Sequence, residues 1–355
     1  MTEPIVDVVI PVHSESRPVA RAAASVLATA TVPTRVTVVC HNIEGDQIAR
    51  SLGAWADDAR VRLLTLADGI SSPAGPINAG LDAATAEFTA LLGSDDEYEP
   101  GAIDAWVAVA RRDEAQLVIP PLRTSPGALT RSPPVRPFRT KGLDGVRDRL
   151  AYRTVQLGLV ERTRFGGVRM TTGLRTGEDV VQGATLWYSG ARISLVRQAP
   201  GYLIHEDDPA SRVSSAPKPA AESLLFLDAV LAPEFVSTLT PDQQESFAVK
   251  LLRTHVMDIL AAALCSQDPP GDLRALAAGV RRILDMSPRA MTLLSRREAG
   301  MLTELSGTAD PARLSAELTI HTDYRRPANL IPAAASRLLH REAPLRFLTG
   351  IAFMR

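Results

Sequence analysis

Up to Pro120 the chain alternates short β-branched runs with helical segments, and that alternation leaves few folds open. Val6–Val12 (VDVVIPV), Arg35–Cys40 (RVTVVC), Val61–Leu66, Glu87–Leu92 (EFTALL) and Ala115–Pro120 read as strands. Between them, Ser16–Ala30 places Val19, Ala23, Val26 and Leu27 on one helical stripe. Ile48–Ala56, Pro76–Thr85 and Ala102–Arg111 also read as helices. Strands alternating with helices predict an α/β domain whose mostly parallel sheet is covered on both faces. Ligands of such sheets bind beyond the carboxyl ends of the strands. The polar residues that follow those ends are His13 and Glu15, His41 and Asn42, Asp68, then Asp95 and Asp96.

The pattern breaks at 121–145, where Pro121, Pro126, Pro133, Pro134 and Pro137 interrupt regular structure. Arg123, Arg131, Arg136, Arg139 and Lys141 make this stretch basic, as a functional lid or as a connector. A strand is expected near 155–162, a helix opening at Gly177 with Thr176 as its cap, and a strand over Arg192–Val196. Beyond about 216 the apolar residues take helical spacing. At roughly 100–200 residues per domain, 355 residues make about two. The expected division is an α/β domain over 1–215 and an α-helical domain over 216–355, with no internal repeat of fixed period.

Composition excludes several classes. Hydrophobic residues are 45% and charged residues 22%, too apolar for a disordered chain. The N-terminus, MTEPIVDVVIPV, has an acid where a signal peptide needs basic residues, so no secretion signal is expected. Cys40 and Cys265 lie far apart with no Cys/His cluster, which argues against structural zinc and fits a reducing, cytoplasmic compartment. Charges nearly cancel, 39 basic against 40 acidic, so nothing points to nucleic acid as a partner. The last segment, from Asp323, is different: six arginines face Asp323 and Glu342, with Leu338, Leu345, Phe347, Leu348, Ile351 and Phe353 among them. Such a tail lies on an anionic membrane surface or docks on its own domain as a terminal helix.

The strongest local chemical signal is LLGSDDEYEPGA, two adjacent carboxylates at a strand end. They repel each other unless a cation or donors offset them. Mg²⁺ and Mn²⁺ are held by one or two carboxylates plus substrate phosphates, so Asp95 and Asp96 fit an ion that clamps a diphosphate. A solvated turn is the plain alternative. His205, with Glu206, Asp207 and Asp208, is either a further metal ligand or part of a polar loop. Ser72–Pro76 (SPAGP) offers backbone N–H groups at the next helix start, a phosphate contact or simply a loop.

The segment SPAGPINAGLDAATAEFTALLGSDDEYEPGAI resembles the core of family 2 glycosyltransferases with a GT-A fold. The family reads along the lines of R-N-x-G-L, then a strand, then D-S-D-D. Asn78, Gly80 and Leu81 match the first motif, and Ser94, Asp95 and Asp96 the second. VVIPVHSE is similar to the family's first strand, with Pro11 turning the chain toward the nucleotide. GEDVVQGATLW matches the acidic pair that supplies the catalytic base, and GYLIHEDDPASRVS the strand and Ser-rich turn that follow. The resemblance covers about residues 4–215 with its motifs in order.

It implies an inverting glycosyltransferase that moves a sugar from a nucleotide-diphosphate donor, UDP-linked by family habit, to an acceptor hydroxyl. The acceptor would be a glycan, a polymer or a small molecule. The donor residues implied are Pro11, His13, Glu15, His41, Asn42, Asp68, Asn78, Ser94 and Asp95. Asp95, Asp96 and His205 would hold Mn²⁺ or Mg²⁺. Asp179 is the first choice for the base, and Glu178 the second.

Three departures stand out. The family's acid after the second strand is replaced by Cys40-His41-Asn42, its Arg before Asn78 by Ile77, and the first acid of D-S-D-D by Gly93. They keep open a catalytically silent GT-A-like module that binds a glycan or scaffolds a complex. A nucleotidyltransferase shares the sheet and metal logic. A nicotinamide dehydrogenase is excluded, because the first turn, VHSESRP, lacks G-x-G-x-x-G.

Overall fold

The computed structural model describes residues 3–125, 127–130, 132–205 and 218–353. Glu206, Asp207, Asp208 and Arg131 lie outside the described residues. The chain forms two compact units, one within Met1–Ser132, Arg139–Asp144 and Arg153–Ser214, the other within Pro133–Phe138, Gly145–Tyr152 and Ser215–Arg355.

The first unit is built on a seven-stranded sheet in the order β10-β6-β9-β4-β1-β2-β3. Its strands are β1 (Val6–Val12), β2 (Thr34–His41), β3 (Val61–Leu66), β4 (Phe88–Leu91), β6 (Leu117–Ile119), β9 (Leu159–Glu161) and β10 (Ile193–Leu195). The first three, and β4 against β1, pair in parallel, as the alternating pattern predicts. β9 runs antiparallel to both β4 and β6, a direction that apolar spacing cannot reveal. β1 is central and almost wholly buried, which is why it reads as a continuous apolar run.

Asp7 is the exception inside that strand. Its carboxylate is fully buried, takes both Nε and Nη2 of Arg35 at 2.6 and 2.8 Å, and accepts from the N–H groups of Thr85 and Ala86. Burial alone would push its pKa up. The guanidinium and the backbone donors outweigh that and hold it below the usual carboxylate range.

Helices α1 (Val19–Leu27), α2 (Gly45–Leu52) and α4 (Ala102–Asp113) cover one face, where Val8, Ile10 and Val12 pack on Ala23, Val26, Ile48 and Trp106. The other face meets α3 (Ala74–Asp82) through Val9, Val39, Ile77 and Leu91. α1 is shorter than the expected Ser16–Ala30, because Pro18 stands at its N-cap and residues 14–17 form a turn. After α5 (Arg162–Phe165) comes α6 (Val180–Trp187), which starts three residues later than the expected Gly177. Gly177 takes a left-handed φ of 76°, which no helix allows, so Asp179 rather than Thr176 becomes the N-cap.

The Pro-rich stretch is less irregular than its composition suggests. β7 (Leu122–Thr124) and β8 (Ala128–Thr130) form a hairpin within a second sheet of order β5-β11-β7-β8. β5 (Glu97–Tyr98) follows the acidic step directly, and β11 (Tyr202–Ile204) pairs with it.

The second unit is helical: α7 (Ala220–Ser223), α8 (Phe226–Val230), α9 (Pro233–Val236), α10 (Pro241–Leu251), α11 (Met257–Leu264), α12 (Pro269–Met286), α13 (Ala290–Leu293), α14 (Arg296–Ser306), α15 (Pro311–Thr319), α16 (Pro327–Leu330) and α17 (Pro344–Ala352). A π turn, Leu252–Val256, joins α10 to α11. Thr240 with Gln243 and Ser295 with Glu298 form capping boxes, which give α10 and α14 sharp starts. The C-terminal tail is broken by Pro327 and Pro344 and is partly absorbed into the core, with Asn329 and Glu342 buried. No helix among the described residues is long and apolar enough to cross a membrane.

Candidate active site

The strand ends of the first unit border a cleft of about 700 Å³. Pro11, His13 and Arg17 line it from the end of β1 and the turn after it. His41 and Asn42 come from β2, and Ile70, Ser71, Ser72, Pro73 and Pro76 from the loop into α3. Gly93, Ser94, Asp95 and Asp96 come from the step after β4, Arg175 and Glu178 from the approach to α6, and Tyr202 and Ile204 from β11.

The acidic step is held from beneath. Tyr202 donates its hydroxyl to Asp96 Oδ2 at 2.6 Å and accepts the Gly93 N–H at 2.9 Å. The N–H of His205 donates to Asp96 Oδ1 at 3.0 Å. Burial, then the Asp96 charge, pushes the Tyr202 phenol well above its ordinary pKa, so it stays a donor. Tyr98 packs edge-on between Trp106 and Tyr202, with ring centroids 4.8 and 5.7 Å away, and donates to the Leu91 carbonyl. Trp106 in turn donates to the Pro200 carbonyl. Through Tyr202 this aromatic group is tied to Gly93 and Asp96.

Gly93, the departure from the family's first acid, has a steric reason. A Cβ there would sit 2.8 Å from Asp96 Oδ2 and 3.2 Å from Asp95 Oδ1. Both carboxylates thus face the space above Gly93, and two hard oxygen donors converging on one space suit a divalent cation. Among the described residues no three His, Cys, Asp or Glu side chains form a cage made by the protein alone. A phosphate-clamping Mg²⁺ or Mn²⁺ does not need one.

Also on the cleft, His41 Nε2 meets Asp68 Oδ1 at 2.8 Å. Asp68 also accepts the Ile70 N–H and the Asn42 amide, and these bonds, the backbone one first, hold its carboxyl below the usual range. Asn42 has a left-handed φ of 55°, and its Oδ1 accepts the Gly69 N–H at 2.9 Å. The network fixes the rings and amides at the position of the family's acid.

Several expected residues sit elsewhere. Asp68 stands behind His41 and steadies it rather than lining the cleft. Glu15 is half exposed and lies 3.7 Å from Arg50. Asn78 does not line the cleft: its amide forms a two-way bond with the backbone of Met170, tying α3 to the irregular segment that leads to Glu178. The His205 ring turns to Glu97, with Nε2 to Oε2 at 2.5 Å, so its contact with the acid pair is made by the main chain. Glu178 is on the cleft wall, while Asp179 heads α6 beside it. Asp179 is the N-cap residue of α6, but its side chain makes no cap hydrogen bond. Sequence reasoning missed Arg17, Arg175 and Tyr202. Arg17 and Tyr202 meet the acidic step only through the fold, across separations of about 80 and 100 residues or more, and no local pattern marks any of the three.

Residues 7–170 match the family model for glycosyl transferase family 2. Among solved structures the chain is similar to S. aureus TarS 1–349 in complex with UDP-GlcNAc, with a TM-score of 0.73 and 15% identity over 90% of this chain and 91% of that one. The same TarS fragment in complex with UDP gives 0.70 at 14% identity, over 90% and 91%. Against the longer S. aureus TarS structure the TM-score is 0.68 at 15% identity, and 89% of this chain spans 55% of that one. No curated protein sequence matches the chain. At such identities the structural likeness concerns the fold, and the family model concerns the sequence of the first unit. Residues 7–170 thus carry the sequence pattern of glycosyl transferase family 2, and the first unit has a GT-A-like fold.

Proposed function

We propose that this chain transfers a sugar, with inversion, from a UDP-linked donor to the hydroxyl of a glycan, polymer or small-molecule acceptor. The observation that carries the reading is one cleft whose lining gathers His41 and Asn42, Asp95 and Asp96, and Glu178. The UDP-GlcNAc and UDP complexes of TarS support the choice of nucleotide.

In this reading His41 and Asn42 meet the base edge, where Asp68 holds the imidazole in place. Asp95 and Asp96 would hold Mg²⁺ or Mn²⁺, which when bound offsets the charge of the leaving diphosphate. The acceptor oxygen attacks the anomeric carbon as that carbon's bond to the diphosphate breaks, through an oxocarbenium-like state. The acceptor's proton passes to Asp179, and Glu178 beside it orients the hydroxyl. The two cysteines are unpaired, Cys40 buried and Cys265 exposed, which fits a reducing, cytoplasmic setting. Leu339 and Phe138, 81% and 84% exposed on the second unit, with Arg337 near Leu339 in sequence, support a peripheral contact with an anionic membrane surface.

The test is thermal unfolding with UDP, GDP and nucleotide sugars, with and without Mn²⁺, followed by donor hydrolysis on the same panel. Metal-dependent stabilisation by one nucleotide, with turnover of its sugar, supports the enzyme. No stabilisation by any of them favours the silent module.

A further inference from the structure

Three carboxylates line the cleft, those of Asp95, Asp96 and Glu178, and a diphosphate entering it meets their repulsion. α3 brings no cation to offset it, because Ile77 is packed in the core against Val9 and Leu91. Among the described residues the guanidinium groups on the cleft wall are those of Arg175 and Arg17. Arg175 is exposed, on the loop before α6. Arg17 is only 8% exposed, at the turn between β1 and α1.

The backbone of Arg17 is set from both sides. Its N–H donates to the Ser14 carbonyl, its own carbonyl accepts from Val19, and Pro18 follows it. Its Nη1 donates to Asp95 Oδ2. Arg21, one turn further, donates to the Asp95 carbonyl and lies 3.7 Å from Glu97. A guanidinium carries five donors in a rigid fork, so one can stay on Asp95 while others meet phosphate oxygens.

We propose that Arg17 is the residue that reads the donor's diphosphate in this cleft, held in position by its pair with Asp95. The inference rests on the nucleotide-sugar reading above. The pair also makes Arg17 a competitor for Asp95 when no donor is bound, so divalent-cation affinity should rise when its charge is removed.

Isothermal titration of UDP and of uridine, each with Mg²⁺, into the wild-type chain, Arg17→Gln and Arg17→Lys tests this. A lost charge-assisted bond pair predicts about 10–100-fold weaker UDP binding by Arg17→Gln, with uridine affinity changed less than about twofold. Arg17→Lys should fall between, since it keeps the charge but loses the fork. Mn²⁺ titration without nucleotide, followed by electron paramagnetic resonance, should show tighter binding by Arg17→Gln. Equal losses for UDP and uridine would reduce Arg17 to a structural pair and overturn the proposal. Unchanged UDP affinity in both variants would overturn it too. A wild-type chain that binds neither UDP nor GDP sinks the nucleotide-sugar reading itself, and this inference falls with it.

Discussion

The Tyr202 hydroxyl joins the two halves of the acidic step, donating to Asp96 while accepting from Gly93. Removing it leaves a partly buried N–H and a carboxylate each short of a partner. Tyr202→Phe should cost about 1–3 kcal/mol in denaturant unfolding and weaken Mn²⁺ binding in the same variant. Wild-type stability together with wild-type metal affinity would show that the step holds its shape without the hydroxyl.

The acidic pair ahead of α6 divides base from orienter. Asp179→Asn should retain UDP binding and lower kcat by about 10²–10⁴-fold, while Glu178→Gln should act mainly on the acceptor's KM. Steady-state kinetics with a chosen acceptor decide between them. The reverse pattern would move the base to Glu178, which has the better view of the cleft.

Asp7 links the sheet to acid stability. Its native pKa lies below the ordinary value of 3.8, so its contribution is present above that pH and is lost as pH falls through the native value. Urea midpoints measured between pH 6 and pH 3 should fall for the wild type and fall less steeply for Asp7→Asn. Asp7→Ala, which strands Arg35, should cost about 3–5 kcal/mol at neutral pH. Parallel pH curves for the wild type and Asp7→Asn would place the acid sensitivity elsewhere.

Much of the fold was legible because β1, β2 and β4 are buried on both faces, which forces apolar runs. The acidic step was legible for the opposite reason, since two adjacent carboxylates at a strand end need an explanation. The second sheet was not. β5, β7, β8 and β11 are two or three residues long, so no period can show in them, and they pair across gaps of up to about 100 residues. Nothing local marks Asp7 as half of an ion pair, because Arg35 comes beside it only through the parallel register of β1 and β2. Arg17 was one arginine among many, and only the closeness of Asp95 singles it out.

The membrane proposal has a direct readout. The wild-type chain should co-sediment with phosphatidylserine-containing vesicles, bind neutral phosphatidylcholine vesicles weakly, and be released by salt. Leu339→Glu with Phe353→Glu should reduce the bound fraction several-fold. Equal binding to both vesicle types, or none to either, would leave the exposed apolar residues without that role.

Arg149 anchors two segments cut from the middle of the first unit's sequence. It donates to the carbonyls of Pro134, Arg341 and Arg346, and Pro133–Phe138 and Gly145–Tyr152 fold with the helices rather than with the sheet. The polypeptide is therefore not two beads on a string. A fragment ending near 215 would carry both straps with nothing to clasp, turning Leu150 and a buried guanidinium out to water. Separating the sheet part from the helical part takes three excisions instead of one. Any transplant of the sheet unit into another protein must either bring the helices along or rebuild the two straps as plain loops.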